Sequence, residues 1–331
     1  MNRMDSSEKQ MRIPTMLVLL LMVLIAFMLL YGFIGTPTSM DGSNNDSDLS
    51  GSADISGGHP SIPEPVFHQE PEDDQEDDGY ISIRMEPSDI SRGYLILINH
   101  DHSYEIPDDP DLVYIADEKT TSYMVSDDNL LISRSVIGPL NEMMDAFYTE
   151  TGRDTVAVIS AFRSPERQQE ILDRYIAQLG RAEALRWAAI PGHSEHHTGL
   201  AIDFGFYSYG VFRTFLGTGT NAWFSRNSYN FGFILRYPYE KSEITQTAYE
   251  PWHFRFVGKP HAYIMFRNDW SLEEYIEIIM ERTREEPFRA VFNEETFEIF
   301  FTRDTEIMVT HDCEVDISGN NIDGFIVTIR R

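Results

Sequence analysis

The feature that most constrains how this chain can fold is an uncharged apolar run close to its N-terminus. Residues 13–33 read IPTMLVLLLMVLIAFMLLYGF and contain no charged side chain. A helix of this length, rising about 1.5 Å per residue, matches the ~30 Å hydrocarbon core of a bilayer. A cleaved signal peptide has an apolar core of only about 7–15 residues, followed by a small-residue cleavage site. We therefore expect residues 13–34 to form an uncleaved transmembrane anchor.

Basic residues set the orientation expected for this anchor. Three of them precede the apolar run (Arg3, Lys9, Arg12), and the next Lys or Arg along the chain is Arg84. Because basic residues are retained on the cytoplasmic side of a membrane, residues 1–12 are expected to be a cytoplasmic tail. The sequence thus predicts a single-pass protein of the cell membrane whose domain beyond the anchor lies outside the cell.

Charge and cysteine content narrow the possible function classes. The chain carries 54 acidic and 26 basic residues, a formal net charge of -28. Nucleic-acid binding needs a basic surface, so no nucleic-acid partner is expected. Residues 35–80 are predicted to be a disordered acidic stalk, because they hold twelve acidic side chains between Asp41 and Tyr80 and no basic one. With Cys313 as its single cysteine, the chain forms no internal disulfide, and a metal would need His and carboxylate ligands.

The pattern beyond the stalk predicts an α+β domain at residues 81–284. Ser164 has the features of a helix N-cap, because Pro165 follows at the first helical position. Arg163 would then lie at a corner between a strand and this helix, with its guanidinium free to point into a cleft. Strands and helices follow one another without a repeating βαβ pattern. Strands are expected at 94–99 and 155–160, and helices at 139–152 (opened by Pro139), 165–180, 182–189 and 272–284.

The last part of the chain, residues 285–331, is expected to form a small β appendage. Segments of strand character lie at 297–301, 314–317 and 325–329, and a turn is expected around Gly319. We predict no chemistry for this appendage.

Two separate motifs contain the side chains of a possible metal site. The first runs from Ser194 to Asp203 and reads SEHHTGLAID, and the second runs from Glu250 to His253 and reads EPWH. Alternation along a strand would turn Ile202 and its apolar neighbours into a core and Asp203 to the opposite face. His253 would likewise project away from the aromatic residues that flank it.

Together the motifs supply two imidazoles and one carboxylate as ligands, with Glu250 as a spare carboxylate. Three protein ligands, a position for water and a base are the parts of a hydrolytic zinc site. Spacing alone does not choose among His193, His196 and His197 as the first ligand. An iron oxygenase with two His and one carboxylate is the alternative, but such an enzyme has no evident task for Glu250.

The chain resembles the VanY-like D-alanyl-D-alanine carboxypeptidases, members of the M15 zinc peptidases, over residues 85–280. The resemblance is carried by Arg163-Ser164 with Gln168, by the pattern Ser-x-His-x-x-Gly-x-Ala-x-Asp, by Glu250-Pro251-Trp252-His253, and by YNFGFILRYP at 229–238. It implies the hedgehog/D,D-peptidase-like fold, in which a small antiparallel sheet is flanked by helices.

The resemblance also implies a role for individual residues. His196, Asp203 and His253 match the Zn2+ ligands, and Glu250 matches the catalytic base. Arg163 matches a catalytic arginine that contacts the carbonyl or carboxylate of the substrate.

Three further residues match substrate-pocket positions, namely Gln168, Ser194 and Tyr237. The implied substrate is a peptidoglycan stem peptide that loses its C-terminal D-alanine. His197 departs from the family, where Gln is common, and would leave a second imidazole beside the ligand His196. Two alternatives stay open: an L,D-carboxypeptidase acting on tetrapeptide stems, and a non-catalytic zinc-containing module that binds peptidoglycan.

Overall fold

A computed structural model describes residues 79–331, which belong to one unit of the chain. The predicted cytoplasmic tail, the transmembrane anchor and all but the end of the stalk lie outside the described residues. Within residues 79–331, no helix is both long enough and apolar enough to cross a membrane.

The described residues combine many short strands with helices of four to eighteen residues. The strands are β1 (Tyr80–Arg84), β2 (Leu112–Tyr114), β3 (Met124–Val125), β4 (Leu131–Ser133), β5 (Val156–Ser160), β6 (Ala201–Ser208), β7 (Val211–Thr214), β8 (Phe233–Leu235), β9 (His253–Phe256), β10 (Phe288–Phe292), β11 (Glu295–Thr302), β12 (Glu306–Thr310), β13 (Glu314–Gly319) and β14 (Phe325–Arg330). The α-helices are α1 (Ile115–Glu118), α2 (Arg134–Thr151), α3 (Pro165–Leu179), α4 (Arg181–Ala184), α5 (Ala222–Asn227), α6 (Ser242–Thr245), α7 (Lys259–Asn268) and α8 (Leu272–Met280). Short 3₁₀ turns lie at Pro87–Ser91, Glu195–Thr198, Gly219–Asn221, Ser228–Phe231 and Tyr239–Lys241.

The sheet that carries the site has the strand order β3-β5-β6-β9-β8, with β7 paired to β6. Only the short β3–β5 pair is parallel among these pairs, so the sheet is antiparallel around its centre, as predicted. Strand β6 lies between β5 and β9, and Asp203 is the direct cross-strand neighbour of His253. Directly opposed residues project to the same face of a sheet. The strand pairing itself therefore brings one residue from each motif together.

The opposite face of β6 packs into an aromatic core. Phe204 is fully buried, and its ring packs at tilted angles against three other aromatic rings, those of Phe215, Phe224 and Phe254. The alternation predicted for this strand is confirmed, since apolar and ligand-bearing residues lie on different faces. Burial of these large side chains stabilises the strand that holds Asp203.

The two long helices begin and end for different reasons. Helix α3 is confirmed as predicted: the Ser164 hydroxyl accepts a hydrogen bond from the Arg167 N–H, Pro165 is the first helical residue, and Gly180 ends the helix. Helix α2 ends at Gly152 as predicted, but its predicted start at Pro139 is wrong, because the helix begins at Arg134. Pro139 removes one helical hydrogen bond and crowds the turn before it, but burial of the upstream apolar face, which includes Val136, stabilises that turn.

Three further predictions of local structure need correction. Residues 94–99 are buried over Leu95–Ile98 but form no strand: the Leu95 N–H donates to the Ser318 hydroxyl, and the Leu97 N–H donates to the Asn320 carbonyl. The helix predicted at 182–189 is a single turn, Arg181–Ala184, and the helix predicted at 272–284 ends at Met280.

The C-terminal strands form a sheet of their own with the order β10-β11-β14-β13, while β12 pairs with β1. The strands predicted at 297–301, 314–317 and 325–329 correspond to β11, β13 and β14, whereas β10 and β12 were not predicted. This sheet shares a hydrophobic core with helices α7 and α8. The shared core includes Ile264, Met265, Leu272, Ile276, Ile279, Ile299, Phe301 and Ile326. The C-terminal sheet therefore packs against helices α7 and α8 through a common hydrophobic core.

Candidate metal centre and active site

The three predicted metal ligands lie together in a buried cluster. One ligand atom from each of His196, Asp203 and His253 lies within 4.8 Å of the other two. The Nδ1 atom of His253 is 3.0 Å from Asp203 Oδ1, and the Nε2 atom of His196 is 3.3 Å from Asp203 Oδ2. Ligand atoms at tetrahedral positions about 2.0–2.1 Å from a zinc ion would lie about 3.3 Å apart. The donor set and its spacing therefore fit a zinc ion.

A tight turn before strand β6 places His196 in this cluster. His196 lies in the 3₁₀ turn Glu195–Thr198, which ends at Gly199 with φ +71°. A side chain is strained at this φ, and a Cβ atom on Gly199 would also lie 2.8 Å from the backbone nitrogen of Ser133. Glycine thus permits the tight exit from the turn into strand β6.

Ring hydrogen bonds resolve which histidine can serve as a ligand. The Nδ1 atom of His196 is 2.6 Å from the Ala161 carbonyl oxygen, which can only accept. The proton must therefore be on Nδ1, and Nε2 is left unprotonated where it faces Asp203.

The neighbouring histidines are held elsewhere. His193 Nδ1 contacts the Asn99 carbonyl at 2.8 Å. His197 donates from Nδ1 to the Arg163 carbonyl and accepts the Gly192 N–H at Nε2. Both nitrogens of His197 are engaged, so the expected spare imidazole beside the ligand is not available for a metal.

Glu250 lies at the edge of the cluster. Its carboxylate Oε2 is 3.8 Å from His253 Nδ1, in the turn that precedes β9. Burial raises the pKa of this carboxyl to about 8, with His253 and Arg163 acting against the increase and Asp203 adding to it. A carboxyl group with a pKa near neutrality can both take and return a proton.

The charges of the ligands depend on one another. Burial acts to lower the pKa of His253, but hydrogen bonds with Asp203 and Glu195 raise it to about 9. Burial and the charge of Arg163 lower the pKa of His196 to about 4. Burial acts to raise the pKa of Asp203, yet His196 and His253 hold it well below its ordinary value. The cluster thus contains a carboxylate and at least one neutral imidazole, as metal binding requires.

Arg163 lies at the strand-to-helix corner that the sequence predicts. Its Nη1 donates to Gln168 Oε1, and its Nη2 donates to the Ser160 hydroxyl and to Asp203 Oδ2, at 2.8, 2.8 and 3.3 Å. Gln168 is buried and donates from Nε2 to the Ala189 carbonyl. Gln168 therefore lies behind Arg163 and holds it, while its place among the substrate-pocket residues stays a prediction.

The other two predicted pocket residues occupy different positions. The Tyr237 ring packs against the His253 ring with centroids 4.8 Å apart, at the edge of the cluster. Ser194 is buried at the start of the 3₁₀ turn, where its carbonyl accepts the His197 N–H.

A buried ion group behind His253 was missed by the sequence analysis. We call Glu195, Arg236, Arg255 and Glu273 the ion quartet. Glu195 Oε1 accepts from Arg236 Nε at 2.8 Å and from Arg255 Nη1 at 2.9 Å, while both Nη atoms of Arg236 donate to the Glu273 carboxylate. Glu195 Oε2 lies 3.2 Å from His253 Nε2. One signal was present in the sequence, because Arg255 follows His253 by two residues and so shares its face of β9.

A buried cluster of two imidazoles and a carboxylate, bordered by a second carboxylate and an arginine, is the arrangement of a metal-dependent hydrolase. Comparison with known proteins narrows this class. The profile of the VanY family, described as D-alanyl-D-alanine carboxypeptidase, matches residues 129–259. A D-alanyl-D-alanine carboxypeptidase of Enterococcus faecium is 32% identical over 275 residues, which cover 80% of this chain and 85% of that relative.

Two further comparisons agree with these. The bifunctional D-Ala-D-Ala dipeptidase and D-Ala-D-Ala carboxypeptidase VanXYC of Enterococcus gallinarum is 35% identical over 134 residues, 39% of this chain and 70% of that protein. The crystal structure of the D,D-dipeptidase VanXYg in complex with a D-Ala-D-Ala phosphinate analogue superposes on this chain with a TM-score of 0.68. The two chains are 32% identical in sequence, and the aligned region covers 76% of this chain and 99% of VanXYg. The chain belongs to the VanY family of D-alanyl-D-alanine carboxypeptidases, which are metallopeptidases.

Proposed function

We propose that this chain is a membrane-anchored, extracellular zinc carboxypeptidase that removes the C-terminal D-alanine from peptidoglycan stem peptides. The observation that carries the proposal is the buried cluster of His196, Asp203 and His253, with Glu250 and Arg163 at its edge. The solved VanXYg structure contains a D-Ala-D-Ala phosphinate analogue, which supports a substrate of this class.

Zinc is the metal we propose for the cluster. Two imidazole nitrogens and one carboxylate oxygen leave a position for water, which is the ligand set of catalytic zinc sites. When bound, zinc supplies Lewis acidity and lowers the pKa of a water molecule in contact with it. The chain has no second cysteine that could offer a thiolate site instead.

Different residues of the site are proposed to transfer the proton and to stabilise the developing charge during peptide hydrolysis. Glu250 takes the proton of the attacking water and returns it to the departing D-alanine nitrogen. Its position beside the ligand His253 suits this exchange. Arg163, fixed by Ser160 and Gln168, supplies a permanent positive charge for the negative charge that develops on the scissile carbonyl oxygen. Tyr237 borders the pocket where the peptide would lie.

The proposed location rests on the sequence. The apolar run at 13–33 is long enough to span a bilayer, and the basic residues that precede it favour a cytoplasmic N-terminus. An outward-facing domain on an acidic stalk would meet peptidoglycan where stem peptides are exposed. Fractionation of cells with protease treatment from outside tests this part, and a domain that resists protease until the membrane is broken would refute it.

Peptide hydrolysis tests the activity directly. The full chain is incubated with a pentapeptide stem ending in D-Ala-D-Ala and, separately, with the tetrapeptide stem, and released D-alanine is measured. Release from the pentapeptide that stops when zinc is removed by a chelator supports the proposal. Release from the tetrapeptide alone would replace it with an L,D-carboxypeptidase. Binding of both peptides without release would replace it with a non-catalytic peptidoglycan-binding module.

A further inference from the structure

The two histidines of the cluster face it with different ring nitrogens. His196 presents Nε2 and donates from Nδ1 to a backbone carbonyl. His253 presents Nδ1 to Asp203 and turns Nε2 towards Glu195. Each ligand histidine therefore has an acceptor behind it, but the acceptor behind His253 is a carboxylate whose own position depends on the ion quartet.

Glu195 can only act as an acceptor in this arrangement. Its side chain is fully buried, and its Oε1 atom receives N–H groups from both Arg236 and Arg255. Two guanidinium groups at 2.8 and 2.9 Å favour the ionised carboxylate, which has no proton to donate. The hydrogen between Glu195 Oε2 and His253 must therefore lie on Nε2.

We propose that Glu195 is a positioning residue, which holds a proton of His253 on Nε2, so that Nδ1 is the nitrogen that gives up its proton when a metal binds. Further contacts restrict the movement of the His253 ring and of the Arg255 side chain that binds Glu195. Tyr237 packs on the imidazole ring, and the side chain of Arg255 is tied to the Tyr94 and Ile96 carbonyls. Partners of this kind fix the orientation of ligand histidines and raise their basicity. The inference rests on the zinc site of the proposed function.

The ion quartet provides a matched control. Glu273 binds the same Arg236 through both carboxylate oxygens, at 2.9 and 2.6 Å, and it is also buried. Glu195 is the quartet carboxylate whose hydrogen bond reaches His253. A change of either glutamate to glutamine leaves two buried arginines facing one carboxylate, so both changes are expected to destabilise the fold. The two variants differ in the contact with His253.

The test compares metal binding by the full chain with Glu195→Gln and Glu273→Gln. Zinc affinity is measured by competition with a chelating dye, and Co2+ serves as a second probe because its visible spectrum reports ligand geometry. We expect Glu195→Gln to weaken zinc binding by about 10–100-fold and to shift the Co2+ bands. We expect Glu273→Gln to bind zinc within about threefold of the unchanged chain and to keep the original Co2+ spectrum, because the hydrogen bond between His253 and Glu195 is intact. Its melting temperature should still be lower than that of the unchanged chain.

Two results would overturn the inference. One is zinc affinity and a Co2+ spectrum that Glu195→Gln leaves unchanged. The other is equal weakening by both variants, which would show that the ion quartet acts through the fold alone. If Glu195→Gln does not fold, Glu195→Asp takes its place, since it keeps the charge opposite the arginines but withdraws the carboxylate from His253. Weaker zinc binding is again expected, and unchanged binding would refute the role of Glu195.

Metal binding is measured without peptide, which separates this inference from the proposed activity. A chain that binds zinc but releases no D-alanine would refute the activity and leave the role of Glu195 measurable. A chain that binds neither zinc nor Co2+ would refute both the zinc site and the role of Glu195.

Discussion

Replacing Glu250 with glutamine removes one proton-transfer group and keeps the shape of the site. Glu250 lies 3.8 Å from the nearest ring nitrogen of His253 and belongs to the edge of the cluster. The three ligand atoms within 4.8 Å of one another come from His196, Asp203 and His253. The substitution is therefore expected to leave zinc binding intact while it abolishes the exchange of protons.

The expected loss of activity follows from general acid–base catalysis. A positioned proton-transfer group contributes about 10²–10⁴-fold to the rate, so kcat for D-alanine release should fall by that factor in Glu250→Gln. The assay measures D-alanine released from a pentapeptide stem at saturating concentration, with zinc content determined on the same sample. The value of KM should change little, because Glu250 acts on the reacting atoms.

The same substitution should stabilise the metal-free protein. The pKa of Glu250 is raised from its ordinary value to about 8 by burial. An unfolded chain loses this proton above its ordinary pKa, whereas the folded chain keeps it up to about pH 8. The protonated carboxyl therefore contributes stability at low pH that is lost as pH rises through this window. Glutamine carries no such penalty, so at pH 7.5 Glu250→Gln should gain on the order of 4 kcal/mol of unfolding free energy, or roughly 10 °C in melting temperature.

Two outcomes would refute this reasoning. Turnover by Glu250→Gln within tenfold of the unchanged chain, at equal zinc content, would show that another group takes the proton. A lower melting temperature for the chelator-treated variant would show that burial does not penalise the Glu250 carboxylate.

Three other substitutions test separate parts of the account. Arg163→Lys keeps the positive charge but loses the guanidinium contacts with Ser160, Gln168 and Asp203, so kcat/KM for the pentapeptide should fall by about 10²-fold. Arg167→Lys, on the exposed side of the helix α3 that follows Arg163, should not change kcat/KM. Burial lowers the pKa of His261 to about 3, so this imidazole stays neutral in the folded chain while it gains a proton below about pH 6.5 in the unfolded chain. The folded state therefore loses stability on acidification. In His261→Gln, the unfolding free energy measured with urea should fall less steeply between pH 6 and pH 4, by about one proton in the slope against pH. Ile299→Ala in the shared core should lower the unfolding free energy by about 2–5 kcal/mol. Val291→Ala, at an exposed position of the same sheet, should lower it by less than about 0.5 kcal/mol. Equal losses would mean that the C-terminal sheet does not pack against the rest of the domain.

Strand alternation explains why much of the site could be predicted from the sequence. Asp203 and His253 each lie among apolar residues of a strand, so each had to project from the face opposite the core. The structure places them as direct neighbours on β6 and β9. The choice of His196 was beyond such reasoning, because it depends on ring contacts with Ala161, Asn99 and Gly192, which spacing within one loop does not encode.

Distant partners explain the elements that could not be predicted. The apolar run at 94–99 is buried as its composition indicates, but its backbone binds Ser318 and Asn320, which follow more than two hundred residues later. The ion quartet brings together Glu195 of the 3₁₀ turn, Arg236 after β8, Arg255 on β9 and Glu273 on helix α8. Such pairings depend on tertiary packing, which overrides local preference.

Return of zinc to the chelator-treated full chain tests the central proposal most directly. D-alanine release from a pentapeptide ending in D-Ala-D-Ala is followed as zinc is added in fractions of one equivalent. A single catalytic cluster of His196, Asp203 and His253 predicts a linear rise that levels off at one zinc per chain. Full release before any zinc is added, or no release at any zinc concentration, would contradict it.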